Sequence, residues 1–242
     1  MRRGNPQPGF TLIELMLVLL IISVLLSISM PAMIAARREA LAVQCQARLD
    51  QIIKGAHFYA HDHREELPSP NWRSTLSDEV SVGWLYRPPV HAWNGETRKS
   101  GSLWNYVMAS DAYRCGAHRA EQEGSATITS FLMNGAVSAF GERSARPFRL
   151  FQFRPMSAMF WDAEDIEVQS ESGLGGDKSD GATWPGATPR ARHNNAINVA
   201  LVEGSVIRMP MSRYQAEQLN RPGMLWCIPS SKTGDTNMSP AD

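Results

Sequence analysis

Scarcities narrow this chain before any motif does. Cysteine occurs three times, at Cys45, Cys115 and Cys227, with no Cys-x-x-Cys spacing, so the usual zinc-ribbon pattern is excluded and the odd count leaves at least one thiol free. Neither sign of charge is in excess. Lys+Arg and Asp+Glu both total 24, so the formal net charge is zero and bulk electrostatics gives no reason to expect nucleic acid as a partner. The sequence also lacks His-Glu-x-x-His, a phosphate-binding glycine loop, EF-hand spacing and a nucleophile paired with an ordered base. No enzyme is expected, and no cofactor.

One long apolar run is present. Gly9-Phe10-Thr11-Leu12-Ile13-Glu14-Leu15 opens it, and it continues to Met30 behind a polar leader carrying Arg2 and Arg3. A helix of about 21 residues is roughly 31 Å long, close to the thickness of a bilayer core. Glu14 stands inside that run. An unpartnered carboxylate at a membrane-helix centre is unfavourable by about 2.5–3.5 kcal/mol, and by less near an end, so this residue asks for a partner.

Gly9 to Leu15 resembles, residue for residue, the class III signal of type IV pilins and type II secretion pseudopilins. The resemblance implies cleavage by a prepilin peptidase between Gly9 and Phe10, and methylation of the Phe10 amine. It also implies pairing of Glu14 with the N-terminal amine of a neighbouring subunit during filament assembly. The expected partners are that peptidase, other pilin or pseudopilin subunits and the inner membrane, with one membrane pass and a periplasmic C-terminal domain. The flanking charges are less decisive, since Arg37 and Arg38 follow the span as Arg2 and Arg3 precede it. An ordinary secretory signal ending near Arg37 would instead release a soluble domain and leave Glu14 without a purpose.

Pro31 falls where the helix would leave the membrane, and a helical pattern resumes beyond it. Leu41, Cys45, Leu49, Ile52, Ala56 and Tyr59 recur at three- and four-residue steps, so this half is amphipathic and ends near Glu66-Leu67-Pro68. His57 and His61 share a helix face at a spacing that metal sites use, although a polar helix end carries histidines freely. The boundaries read as a leader over 1–9, a membrane or filament-core helix over 10–34 and an amphipathic helix over 35–66. A globular domain over 67–229 and a flexible tail over 230–242 complete the chain.

Within the globular part, 102–108 suggests a short helix, while 128–134, 148–153 and 158–162 have strand-like composition. Trp72, Trp84, Trp93 and Trp104 read as anchors packing loops onto a small core, with a glycan-binding face as the other reading. Arg143, Arg146, Arg149 and Arg154 interleave with Phe148, Phe151 and Phe153, a pattern that suits single-stranded nucleic acid or simply a solvated strand face. The acidic, glycine-rich stretch before Gly181 offers Asp177 and Asp180 as weak calcium candidates. In an oxidising compartment Cys115 and Cys227 are the expected disulfide, with Cys45 a small apolar residue on the helix, although spacing fixes no pairing.

Ile197, Val199 and Leu201 alternate with smaller or polar residues before Glu203-Gly204, and Val206-Ile207 follows. This predicts a tight hairpin with Gly204 at a positive φ. The stretch resembles the signature of a large pseudopilin-like family, in which a His is followed by nine residues and Asp-Gly. Here His193, nine residues and Glu203-Gly204 take those places, and Tyr113-Arg114-Cys115, 131–134 and the run to Asp162 fall where that family has similar segments. A histidine bonding the hairpin backbone is the expected role of His193. Ser212 with Gln215 resembles a capping box for a helix over 214–220.

The expected architecture is α+β and pilin-like: one long N-terminal helix, its second half packed on an antiparallel sheet of about four strands. The expected function is structural, as a pseudopilin or minor pilin of a type II secretion or type IV pilus-like filament. The alternative is an exported, membrane-anchored domain that binds calcium or glycan.

Overall fold

The computed structural model describes residues 10–71, 82–87, 96–117, 128–138, 148–163, 181–229 and 231–234. The chain divides into two compact units, Met1–Ala40 and Leu41–Asp242, and a 51-residue helix, α1 (Leu12–Asp62), contributes to both. In the first unit the apolar side chains of α1 are exposed all round, and the helix is long and apolar enough to cross a membrane once. Its serines are satisfied within the helix: the hydroxyls of Ser23, Ser27 and Ser29 donate to the carbonyls of Leu20, Val24 and Leu25 at 2.7–2.8 Å. Such back-bonding leaves no side-chain donor facing an apolar surrounding. Pro31 lies inside the helix without ending it.

In the second unit α1 is amphipathic. Ala42, Cys45, Leu49, Ile52, Ile53, Ala56 and Ala60 are buried along one face, as their three- and four-residue spacing requires. The helix stops at Asp62, earlier than the expected Glu66. Arg64 and Glu65 take positive φ values of 57° and 67°, and the Glu65 amide donates back to the Ala60 carbonyl at 2.7 Å, a reversal that closes a helix end.

A five-stranded sheet has the order β3-β1-β2-β4-β5, with β1 (Phe131–Asn134), β2 (Ala158–Asp162), β3 (Ala182–Thr183), β4 (Ala196–Leu201) and β5 (Val206–Pro210). The antiparallel expectation holds for β1, β2, β4 and β5. It is corrected at the edge, where β3 pairs with β1 in parallel and makes the sheet mixed. A two-residue strand has too little pattern to reveal its orientation in sequence.

Both faces of the sheet are covered, and β4 is accordingly buried at all six positions. On one face Phe131, Met133, Met159, Phe160 and Ala200 join Cys45, Leu49, Ile52 and Ile53 of α1 together with Trp84 and Tyr113. On the other, Ala158, Trp161, Ile197, Val199 and Leu201 meet Met211 and Tyr214 of α4 (Met211–Leu219), with Leu225 and Trp226. The pairing of β2 with β4 shifts register between Ala158 and Phe160. This irregularity lets the consecutive Met159 and Phe160 serve one core while Ala158 and Trp161 serve the other.

Two local expectations are corrected. Residues 148–153 are not a strand: Leu150–Gln152 is a turn of 3₁₀ helix, and only Arg149 bridges, to Glu66. The helix α4 starts at Met211 rather than Tyr214 and has no side-chain cap, because its N-terminal neighbour is Pro210. The short helix expected over 102–108 is α2 (Trp104–Val107). A four-residue helix, α3 (Gly135–Ser138), follows β1 and was not legible beforehand.

Candidate functional site

The first site is the start of α1. Thr11 is the residue before the helix and Glu14 is its third member. The Thr11 amide and hydroxyl both donate to Glu14 Oε2 at 2.9 Å, while the Glu14 amide donates to Thr11 Oγ1 at 3.3 Å. This is a reciprocal capping box. Within one subunit the carboxylate therefore has a partner, its own first turn, where the helix dipole also favours negative charge. Sequence reasoning placed Glu14 and missed Thr11, although the Thr-x-x-Glu spacing was there to find it. Phe10 is 88% exposed next to this turn. Gly9 lies outside the described residues, as do Asp177, Asp180, Trp72, Trp93, Arg143 and Arg146.

The second site lies beneath the sheet. The structure joins Cys45 to Cys115 as a disulfide, with their Cα atoms 5.0 Å apart, and leaves Cys227 free. The expected Cys115–Cys227 pair is thus corrected. The physical reason is the helix face: Cys45 occupies the buried stripe of α1, and Cys115 packs in the same core against it. Cys227 sits instead beside the sheet end, where Asn134 Nδ2 approaches its sulfur at 3.7 Å. Burial pushes the Cys227 thiol up to about 12, against the opposing effect of a Ser157 hydrogen bond.

His193 is buried, and its Nε2 lies 3.4 Å from Cys115 Sγ. Two arginines hold the segments that meet here. Arg48 Nη1 of α1 donates to the Arg114 carbonyl at 2.7 Å, and Arg208 Nη2 of β5 donates to the His193 carbonyl at 2.9 Å. Asn194 and Asn195, at φ 52° and 55°, turn the chain from His193 into β4, and the His193 and Ala196 backbones bond reciprocally at 3.2 Å. The main chain of His193 closes the turn into β4, and its ring contacts the disulfide sulfur, a partner that sequence did not reveal. Beside it the Tyr113 phenol, fully buried, is pushed well above its ordinary pKa by that burial.

Glu203 and Gly204 form the turn at the far end of β4. Gly204 has φ 96°, its amide donates to the Leu201 carbonyl at 2.9 Å, and Leu201 donates to Ser205 at 2.8 Å, so the predicted hairpin is present. The Glu203 side chain is exposed and accepts from Ser205 Oγ at 2.7 Å. A six-residue strand, roughly 20 Å long, separates this turn from His193. The two ends of the His-x9-Glu-Gly stretch are therefore structural corners and form no common site. Asp162, fully buried at the end of β2, accepts from the Asn198 amide at 2.7 Å and anchors β4 beside it.

Residues 4–30 match the prokaryotic N-terminal methylation motif. A stretch of 63 residues is 40% identical to the competence protein ComGC of Halalkalibacterium halodurans, covering 26% of this chain and 61% of the relative. No solved structure matches the chain. In its methylation motif, its long N-terminal helix and its α+β domain the chain is similar to pilins. The chain spans about three fifths of the length of the relative it matches.

Proposed function

We propose that the chain is a structural subunit, a minor pilin or pseudopilin, of a type II secretion or type IV pilus-like filament, and not an enzyme. A prepilin peptidase cuts between Gly9 and Phe10 and methylates the new amine. The subunit then waits in the inner membrane as a single-pass protein with residues from Leu41 onward on the periplasmic side. The observation that carries this reading is a carboxylate, Glu14, in the first turn of a helix whose stretch from there to Met30 exposes apolar side chains on every side. A helix of that kind is stable only against lipid or against other apolar helices. In the filament, the amine of a neighbouring Phe10 would take over Glu14 from Thr11. The competence role in the name of the ComGC relative makes a competence filament one of the assemblies to be tested.

The test is the intact mass and N-terminal sequence of the full chain recovered from membranes of a host with its own prepilin peptidase. A start at N-methylated Phe10 is expected. A start near Arg37 would mark an ordinary signal peptide and overturn the reading. Glu14→Ala provides the second arm: a filament subunit loses assembly, whereas a displayed calcium- or glycan-binding domain keeps its binding.

A further inference from the structure

Cys45, Cys115 and His193 come from three distant parts of the chain, and their ligand atoms all lie within 4.8 Å of one another in a buried cluster. We infer that, when the disulfide is reduced, these three side chains bind one soft d10 metal ion, with copper(I) the ion they fit best. The donor set is two thiolates and an imidazole, which favours soft ions over calcium or magnesium. Its number matters too. Among the described residues no fourth Cys, His, Asp or Glu joins the group. A closed structural zinc site takes four protein ligands, and three would oblige zinc to add a water inside an apolar core. Copper(I) is stable with three donors in a plane, so it needs nothing further from a core lined by Leu49 and Tyr113.

The geometry supports the change of state. In a planar three-donor site with metal–sulfur bonds of about 2.3 Å, the two sulfurs stand about 4.0 Å apart. Rotation of one Cys side chain opens that separation while the Cα atoms keep their 5.0 Å spacing. His193 Nε2 already faces Cys115 Sγ, so the third ligand needs no reorganisation. The chemistry balances with a dithiol as reductant. It passes two electrons and two protons to the Cys45–Cys115 bond, giving two thiols, and is itself oxidised to a disulfide. The metal ion then displaces the two thiol protons as it binds. Disulfide and metal are thus alternative occupants of one site, chosen by the redox state around it.

The experiment uses the full chain in detergent, reduced with a dithiol and freed of it without oxygen. Copper(I) is titrated in competition with a chromophoric copper(I) chelator, and zinc(II) in competition with a zinc indicator. One equivalent of metal is expected for the reduced protein and none for the oxidised protein. Cys227→Ser should bind as the wild type does, and His193→Ala should bind at least tenfold more weakly. X-ray absorption of the copper complex should show two sulfurs and one nitrogen. Tight zinc with weak copper(I) would overturn the choice of ion. Equal binding by oxidised and reduced protein, unaltered binding by His193→Ala or loss of binding in Cys227→Ser would overturn the site. Should His193→Ala fail to fold, the absorption spectrum of the wild type decides alone, since a sulfur-only shell contradicts the proposal.

Discussion

Cys45 in the buried stripe of α1 is bonded to Cys115, 70 residues later, and so fixes the helix to the segment that follows Tyr113. Closing a loop of this length removes chain entropy worth about 4 kcal/mol from the unfolded state in the simplest account. Reduction is therefore expected to lower unfolding stability by about 2–5 kcal/mol. Domains of this size commonly hold about 5–15 kcal/mol, so the reduced protein should stay folded at room temperature. Urea titrations followed by tryptophan fluorescence, with and without dithiol, measure the difference in a Cys227→Ser background. Coincident midpoints would mean that the bond constrains nothing.

Cys227 is expected to be inert while the protein is folded. Its thiol is held at about 12, where the ordinary value is 9.0, because burial disfavours the thiolate. The thiolate is therefore much scarcer at pH 8 than in the unfolded chain, so alkylation should be markedly slower in the folded protein. The sign for stability follows from the same shift. The folded state keeps its proton where the unfolded state has lost it, so stability falls as pH rises from about 9 towards 12 and is unaffected by this group below that window. Alkylation time courses at pH 8 in buffer and in urea test the first statement. Equal rates would refute it.

How much of this was legible in the sequence depended on whether the signal was local. The stripe from Cys45 to Ala56 and the alternation from Ile197 to Leu201 each report one element's own burial, and α1 and the β4–β5 hairpin stand where those patterns put them. The partner of Cys45 depends on how α1 lies against the loop after Tyr113, which no local pattern encodes. The parallel edge strand β3 pairs with β1 at a separation of 49 residues, Met133 with Ala182, and two residues leave no periodicity to read. His193 was singled out through its spacing from Glu203, yet its ring contacts Cys115, on a different part of the chain. The Thr11–Glu14 box was the reverse case, a local signal present and passed over.

The far hairpin separates backbone need from side-chain need. Gly204 turns at φ 96°, a region that costs a residue with a Cβ about 1–2 kcal/mol, although the nearest atom to such a Cβ, His57 Nε2, is 3.6 Å away and offers no clash. Gly204→Ala is expected to destabilise by about that amount. Glu203→Ala is expected to stay within about 0.5 kcal/mol, because the Glu203 amide still donates to the Pro155 carbonyl and only an exposed bond to Ser205 is lost. Denaturant midpoints of the two variants decide it, and the reverse order would assign the corner to the carboxylate.

At the other end of the chain, Thr11 and Glu14 allow the capping role of the carboxylate to be separated from its proposed role between subunits. Thr11→Ala removes the hydroxyl that donates to Glu14 Oε2 and accepts from the Glu14 amide, but leaves the carboxylate in place. Loss of such a cap costs about 0.5–2 kcal/mol, so the amides of the first turn should exchange hydrogen roughly 2- to 30-fold faster in detergent micelles. Assembly should survive, since a less tightly held Glu14 is at least as available to a neighbouring amine. Glu14→Ala loosens the same turn and also removes the group that a neighbour would bind, so it should lose both the exchange protection and the filament. If Thr11→Ala stopped assembly as completely as Glu14→Ala, the carboxylate would matter for the fold of the helix start and not for docking. Equal exchange in Thr11→Ala and wild type would instead show that the first turn is held by something other than this cap.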